Sequence, residues 1–224
     1  MVYQWLKSRR PADWFAPGCC YLCRAALHEP GLICPACRND LARTDNTNHG
    51  HGHLPDQAID RIVAPYRYRY PLNQLIRQLK YNQKIILARA LSPDISREVL
   101  KVCASLPDVV VPIPLHRRRQ LLRGYNQAEE IARSVARDLS IPQDNRLLYR
   151  SRHTLPQFDL SPAARKRNIK GAFKLRAIPA YGFVALVDDV ITTGATVAEA
   201  ARLLKKAGVK RVEVWACART DPGG

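Results

Sequence analysis

Two adjacent carboxylates and a hydroxyl-rich loop are the residues best suited to chemistry in this chain. Asp188 and Asp189 follow an apolar run that starts at Val184. Such a pair can accept hydrogen bonds from ribose hydroxyls or hold a Mg²⁺ ion carried by a pyrophosphate. Hydroxyls and unpaired N–H groups at a helix start suit a phosphate. We therefore predict a ribose and phosphate site, the alternative being an acid pair that caps a helix. Its phosphate loop is Thr192, Thr193, Gly194, Ala195 and Thr196.

A strand and a helix must position these groups. The apolar run before Asp188 predicts a strand buried on both faces, as in a parallel sheet. Apolar residues at helical spacing after the loop predict a helix that ends near Gly208. Thr196 and Glu199 are spaced as a capping box at its start. The residues expected on its buried face are Val197, Ala200, Ala201 and Leu204.

The rest of the chain from residue 59 alternates between strand and helix patterns. Alternation predicts a strand over 62–70, with Tyr66, Tyr68 and Tyr70 on one face. Helices are predicted from Pro71 through Leu79, from Ile85 with an interruption at Pro93, and over 126–139. Strands are predicted over 109–113 and 209–218. This order predicts an α/β fold with a mostly parallel sheet flanked by helices.

Four cysteines near the N-terminus form two Cys-x-x-Cys pairs with ten residues between them. Zinc is held by four thiolates from two tight turns, which this spacing provides. A redox pair or packed cysteines are the alternatives. Four thiolates leave no open position for water, so the expected role of the zinc is structural. The predicted ligands are Cys20, Cys23, Cys34 and Cys37, with Cys19 as a substitute for Cys20.

Three histidines alternate with glycines in the segment that follows. His49, His51 and His53 could bind a second metal, although a polar, Gly-rich segment is more typical of a loop. We predict a cysteine module over 1–43, a linker over 44–58 and the α/β domain over 59–224.

Composition limits the classes of function. The chain of 224 residues has seven cysteines, an odd number that favours metal binding over a disulfide framework. It contains no apolar run long enough for a membrane span and no recognisable signal peptide, so we expect no membrane insertion and a cytoplasmic location.

Positive charge is concentrated in the basic segment, which we define as residues 112–178. The net charge is +17, and this segment holds fifteen Lys or Arg against five Asp or Glu. Such charge attracts polyanions. Interleaved aromatic residues would let the bases of single-stranded DNA stack, although Phe158 and Phe173 could equally belong to the core. The aromatic residues are Tyr125, Tyr149, Phe158 and Phe173.

The run from Val184 to Thr196 resembles the PRPP-binding motif of type I phosphoribosyltransferases. Nearly the whole chain resembles one branch of them, the ComF/GntX family of bacterial competence and DNA-utilisation proteins. Besides the two cysteine pairs, the matching residues are Leu79-Lys80-Tyr81, Pro112-Ile-Pro114-Leu-His116, Arg123-Gly124-Tyr125-Asn126-Gln127, Gln157, Arg165, Asn168 and Gly171-Ala-Phe173.

This resemblance implies a type I phosphoribosyltransferase-like domain with a small zinc-ribbon-like module. It implies Mg²⁺·PRPP as ligand, Asp188 and Asp189 as the catalytic pair, and a pyrophosphate site formed by Lys80, Pro114, Leu115 and His116. The arginines that follow suit pyrophosphate or nucleic acid, or are a solvated surface run. They are Arg117, Arg118, Arg119 and Arg123.

The implied function is DNA uptake in natural competence or DNA utilisation, in association with a DNA-translocating helicase. Phosphoribosyltransferases often pair, so a homodimer is an option. The alternative is an active phosphoribosyltransferase of nucleotide metabolism whose acceptor the sequence does not name, and enzymatic activity stays open.

Overall fold

The computed structural model describes residues 18–27, 31–44, 56–81, 84–152 and 162–220, without the side chains of residues 162, 163, 165 and 166. The chain divides into two compact units, Met1–Leu41 and Ala42–Gly224. The predictions for His49, His51, His53, Gln157 and Phe158 concern residues outside these ranges, and the side chain of Arg165 is likewise not described.

The first unit contains one short helix, α1 (Pro35–Asn39), among its described residues. Pro35 occupies the first helical position, where its missing N–H removes no hydrogen bond. Cys19 and Ala26 form an isolated antiparallel bridge. Turns, bends and irregular backbone therefore make up most of the described structure of this unit.

The second unit alternates strands and helices. Its strands are β1 (Arg61–Val63), β2 (Tyr66–Arg67), β3 (Val109–Pro112), β4 (Leu148–Arg150), β5 (Phe173–Leu175), β6 (Phe183–Ile191) and β7 (Arg211–Arg219). Its helices are α2 (Leu72–Tyr81), α3 (Ile86–Val102), α4 (Arg117–Arg123), α5 (Gln127–Asp138), α6 (Pro162–Ile169) and α7 (Ala195–Lys206). In the described part of the chain, no helix combines the length and apolarity that crossing a bilayer requires.

Five strands form one parallel sheet. Its order is β1-β7-β6-β3, and β2 also pairs with β7. Val184 of β6 lies opposite Val109 of β3 on one side and Val212 of β7 on the other. The predicted fold class, a mostly parallel sheet flanked by helices, is confirmed. A separate antiparallel pair, β4 and β5, was not predicted.

Both faces of the central strand are covered. Val184 and Leu186 belong to the core that the buried face of α7 completes with Val197, Ala201 and Leu204, as predicted. Side chains alternate along a strand, so the intervening residues of β6 are buried on the opposite face, where α5 packs on β6 and α3 packs on β7. The acid pair thus lies on a strand that is paired on both sides and whose apolar residues from Val184 onward are buried.

Two predictions of elements are wrong. The single strand over 62–70 is replaced by the short strands β1 and β2, which Ala64 and Pro65 separate, and Tyr66 is fully buried whereas Tyr70 is exposed. Helix α3 is not interrupted at Pro93 but continues through it. Pro93 lies on the exposed side of a helix whose buried residues hold it on the protein core.

Candidate functional site

The acid pair lies where β6 extends past its neighbour β3. Pairing with β3 ends at Pro112 opposite Val187, and the Ile113 N–H donates to the Val187 carbonyl at 2.8 Å. Strand β6 then continues through Asp188 and Asp189 to Ile191, paired with β7 alone. The carboxyl end of a parallel strand is the usual place for ligands in such sheets. The loop at 114–116 therefore leaves the sheet next to the two carboxylates.

Asp188 and Asp189 have different surroundings because consecutive residues of a strand extend to opposite faces. Asp189 is 6% exposed, and its Oδ1 lies 3.0 Å from the Nζ atom of Lys80, the penultimate residue of α2. Asp188 is partly exposed, and its Oδ1 accepts a hydrogen bond from the Asp189 N–H at 2.8 Å. The structure thus brings Lys80 to the acid pair from a distant part of the sequence.

Burial and mutual repulsion set the charge of this pair. Desolvation of the carboxyl group and, next, the charge of Asp189 raise the pKa of Asp188 to about 7 overall, against the attraction of Lys80. Burial lowers the pKa of Lys80, but the charges of Asp189 and Asp188 outweigh it, so the net shift is upward. Lys80 is thus a permanent cation, whereas Asp188 titrates near neutral pH.

The phosphate loop is shaped by Gly194, which precedes α7. Its φ of 71° lies in the left-handed region, where a side chain would strain the backbone. The Thr193 hydroxyl accepts a hydrogen bond from the Ala195 N–H at 3.5 Å. Helix α7 has no side-chain cap at its start, so the first-turn N–H groups carry the positive end of the helix dipole. Thr192 is exposed, and Thr193, Ala195 and Thr196 are partly exposed.

The predicted capping box of Thr196 and Glu199 is wrong. Gly194 precedes the helix, and Glu199 accepts a hydrogen bond from the Gly171 N–H at 2.6 Å instead. Its second oxygen accepts from Arg202 at 2.6 Å. Glu199 therefore fastens the turn at Gly171, which leads into β5, to the helix of the phosphate loop.

Three consecutive residues, Tyr125, Asn126 and Gln127, bind the chain segments next to the acid pair. The Tyr125 hydroxyl donates to the Leu79 carbonyl, and the Gln127 side chain donates to the Lys80 carbonyl at 3.4 Å. Asn126 donates to the Ile113 carbonyl at 3.0 Å while it caps α5 by accepting from the Ala128 N–H. These side chains connect the end of α2, the end of β3 and the start of α5, and so position Lys80.

The loop expected to receive pyrophosphate leads into α4. Pro114, Leu115 and His116 are all partly exposed. His116 caps α4 by accepting a hydrogen bond at Nδ1 from the Arg118 N–H at 3.3 Å. Arg117 and Arg118 are exposed, while Arg119 and Arg123 are partly buried. The helix that follows this loop therefore presents four arginines beside the site.

Arg150 was not identified from the sequence. It lies on β4, is 9% exposed, and has its guanidinium 5.6 Å from the centre of the Phe173 ring. Burial and, next, the charge of Arg119 lower the pKa of Arg150 to about 10 overall, against the charge of Asp188, which raises it. Nothing near Arg150 in the sequence signals this, because the small sheet that carries it forms by long-range pairing.

Two of the three described aromatic residues of the basic segment are in the interior. Tyr125 is buried, so its expected stacking on bases is wrong, and Phe173 is buried as the core alternative for it required. Tyr149 is partly exposed, and the guanidinium of Arg176 lies 5.0 Å from its ring centre. An exposed aromatic residue near α4 lies outside the basic segment. It is Tyr81, at the end of α2, which is 61% exposed.

The four predicted cysteine ligands lie together in the first unit. Their sulfur atoms are all within 4.8 Å of one another, and the Cys23 and Cys34 sulfurs are 3.7 Å apart. Sulfurs at about 2.3 Å from a tetrahedral Zn²⁺ lie about 3.8 Å from one another, so the donor set fits such an ion. Cys20 belongs to this cluster, and its exposed neighbour Cys19 does not.

Backbone N–H groups donate hydrogen bonds to the cysteine sulfur atoms and so stabilise the thiolate form that binds a metal. The Cys34 N–H donates to the Cys20 sulfur at 3.3 Å, and the Cys37 N–H donates to the Cys34 sulfur at 3.4 Å. Burial raises the pKa of the Cys20 thiol, but hydrogen bonds from N–H groups, first that of Cys34, lower it to about 6 overall. The cluster is therefore able to hold a metal ion.

Proteins with a curated description are similar over most of the chain. DNA utilization protein YhgH of Escherichia coli strain K12 is 39% identical over 225 residues, which cover 91% of this chain and 98% of that protein. Competence protein F of Haemophilus influenzae is 34% identical over 220 residues, covering 89% and 96%. No protein-family model matches the chain.

Among solved structures, purine phosphoribosyltransferase from Pyrococcus horikoshii Ot3 is similar at 15% identity and a TM-score of 0.35. The match covers 58% of this chain and 80% of that structure.

Proposed function

The chain belongs to the family of DNA utilization protein YhgH and competence protein F, and from this we propose that it acts in DNA uptake or DNA utilisation. Its second unit would bind a phosphoribosyl ligand at the acid pair and single-stranded DNA on the basic segment. The observation that carries the proposal is the contact between Lys80 and Asp189 beside the phosphate loop. It places a cation and a carboxylate where the same ligand could contact both.

The proposed ligand of the acid pair is Mg²⁺·PRPP. N–H groups at the start of α7 and the threonine hydroxyls suit the 5′-phosphate. Asp188 and Asp189 suit the ribose hydroxyls, which need acceptors, or the magnesium ion. Lys80, the 114–116 loop and the nearby arginines supply positive charge for the pyrophosphate. The chemistry that such a site favours is departure of pyrophosphate from the ribose, through positioning and electrostatic stabilisation.

Calorimetric titration of the zinc-loaded protein with Mg²⁺·PRPP tests this site. Hydrogen bonds to a charged group contribute more binding free energy than neutral ones. Because Asp188→Asn removes the charge, it should weaken binding by about 10- to 100-fold. The double variant Asp188→Asn/Asp189→Asn should abolish binding. Asp138→Asn is the matched control, because Asp138 is an exposed acid at the end of α5 and its removal should change nothing. Equal affinity of the wild type and the double variant would refute the site.

The basic segment is the proposed surface for single-stranded DNA. Arg117 and Arg118 extend into solvent from a helix without an acidic residue. Each phosphate contact with a single strand contributes about −0.7 to the slope of log K against log salt, so four arginines of α4 predict a slope of about −3.

Fluorescence anisotropy at several salt concentrations measures that slope. Arg117→Gln/Arg118→Gln should reduce it by about 1.4, since two contacts are lost. Lys206→Gln, an exposed cation outside the segment, should leave it unchanged. A slope near zero for the wild type would contradict the assignment of the surface.

A second candidate is an active phosphoribosyltransferase, favoured by the intact acid pair and phosphate loop. Release of pyrophosphate from PRPP in the presence of nucleobases, lost in Asp188→Asn, would support it.

The proposed metals are Mg²⁺ arriving with PRPP and a structural Zn²⁺ held by the four cysteines. The four sulfur atoms would occupy every coordination position of the zinc ion.

A further inference from the structure

The bases of a bound DNA strand need an apolar or aromatic protein surface to stack on. In the structure, residues other than the aromatic ones suggested by the sequence provide this surface. Tyr125 and Phe173 are in the core, whereas the ring of Tyr81 is exposed. Tyr81 directly follows Lys80, whose ammonium contacts Asp189. The exposed ring therefore stands at the same helix end as the proposed phosphoribosyl site.

Arginines of α4 face this ring. The guanidinium carbon of Arg123 lies 5.1 Å from the centre of the Tyr81 ring, within the range of a cation–π contact. Arg119 is one helical turn before Arg123, so both extend from the same side of α4. Burial lowers the pKa of Arg119, and the nearby charge of Arg123 lowers it further. The exposed ring of Tyr81 therefore lies next to the positive charge of Arg119 and Arg123.

Helix α4 also exposes apolar surface. None of its seven residues is buried, and Leu121 and Leu122 are 84% and 86% exposed. They follow Arg117 and Arg118 by one turn, so each leucine shares a side of the helix with an arginine. Large exposed apolar side chains next to one another are typical of a binding surface.

We propose that Tyr81, Leu121 and Leu122 form the base-contacting surface of the single-stranded DNA site. The proposal rests on the proposed function, because it names the residues that contact bases on the same basic surface. The arginines of α4 hold the phosphates, the Tyr81 ring stacks on a base beside Arg123, and the two leucines contact the faces of other bases. Charge favours this occupant, since α4 has four arginines and no acidic residue.

Two labelled strands of equal length, oligothymidine and a strand without bases, separate base contacts from phosphate contacts. Anisotropy at fixed salt should show the wild type binding oligothymidine more tightly than the abasic strand. Stacking on one aromatic side chain predicts that Tyr81→Ala weakens oligothymidine binding roughly tenfold and leaves abasic binding unchanged. Tyr81→Phe should bind as the wild type does, and Leu121→Ser/Leu122→Ser should weaken oligothymidine binding selectively.

Matched controls come from the same chain. Tyr70 is 72% exposed and Leu100 is 63% exposed, and both lie outside α4 and the basic segment, so Tyr70→Ala and Leu100→Ser remove comparable side chains. Both should bind the two strands as the wild type does. All five substituted positions are exposed, so circular dichroism and thermal transitions should match those of the wild type.

The outcomes distinguish this proposal from the one it rests on. If the wild type bound neither strand, the DNA function itself would fail. Equal binding of both strands by the wild type, unchanged in Tyr81→Ala, would overturn the base-contacting surface while the DNA function stood. Loss of a dimer in the leucine variant, with oligothymidine binding intact, would show that a second copy covers α4 and would also overturn it.

Discussion

Asp188 and Asp189 show how adjacent residues of one type acquire different properties. Alternation along β6 directs them to opposite faces, and only Asp189 contacts Lys80. Desolvation, followed by the charge of the Asp189 carboxylate, raises the pKa of Asp188 to about 7. Near neutral pH Asp188 is therefore partly protonated, and a bound cation would displace its proton.

Stability should depend on pH through Asp188. Its pKa is raised from 3.8 to about 7, so the folded state binds this proton more tightly than the unfolded state does. The resulting stabilisation is complete below about pH 3.8 and is lost as the pH rises to about 7. We expect the urea midpoint of Asp188→Asn to exceed that of the wild type at pH 8 by more than it does at pH 5. Parallel curves for the two proteins would contradict the shift, and Asp138→Asn serves as control.

The residues of this site could be predicted from the sequence only where they are contiguous. Asp188, Asp189 and the phosphate loop form one run whose residue types indicate their chemistry. Arg150 could not be predicted, because β4 pairs with β5 more than twenty residues later. The contact between Lys80 and Asp189 likewise depends on the fold, although the resemblance had assigned Lys80 to the site.

At the scale of elements, tertiary packing overrides local preference. Helix α3 contains Pro93, which normally ends or kinks a helix. Apolar residues before and after it, from Leu87 to Val99, are fully or nearly fully buried, so packing keeps the helix continuous. The sequence predicts the long elements because their apolar periodicity is strong. It does not predict β1 and β2, where two short segments of one alternating run pair with β7 at separate places.

Pro93→Ala should therefore stabilise the protein. The alanine restores an N–H and removes the clash of the proline ring with the preceding turn, although the unfolded chain gains freedom. We expect the free energy of unfolding to rise by about 1 kcal/mol, measured by urea denaturation. Pro142→Ala, at an exposed loop position, is the control and should lower it slightly. A destabilised Pro93→Ala variant would mean that the packing of α3 requires the kink.

At the scale of the molecule, the two units differ in what stabilises them. The unit Ala42–Gly224 contains a five-stranded sheet with a large apolar core. The described residues of Met1–Leu41 contain one five-residue helix and one isolated bridge. With so little regular structure, metal binding would supply much of the folding free energy of the first unit.

Chelation should therefore unfold the first unit alone. We expect a strong zinc chelator to make 1–41 sensitive to protease while the thermal transition of 42–224 stays unchanged. Cys20→Ser should have the same effect and lower the zinc content. Cys19→Ser, whose sulfur is outside the cluster, should retain zinc and resist protease. A full complement of zinc in Cys20→Ser would exclude the proposed ligand set.

Strand β3 lies at one end of the sheet order, yet its outer backbone groups are already used. The Val110 N–H donates to the Pro142 carbonyl at 2.9 Å, and the Val110 carbonyl accepts from the Asp144 N–H at 3.0 Å. Two residues on, Pro112 has no N–H to donate. A strand from another molecule would find few donors along this edge, so β3 is protected against the edge-to-edge aggregation that exposed strands invite.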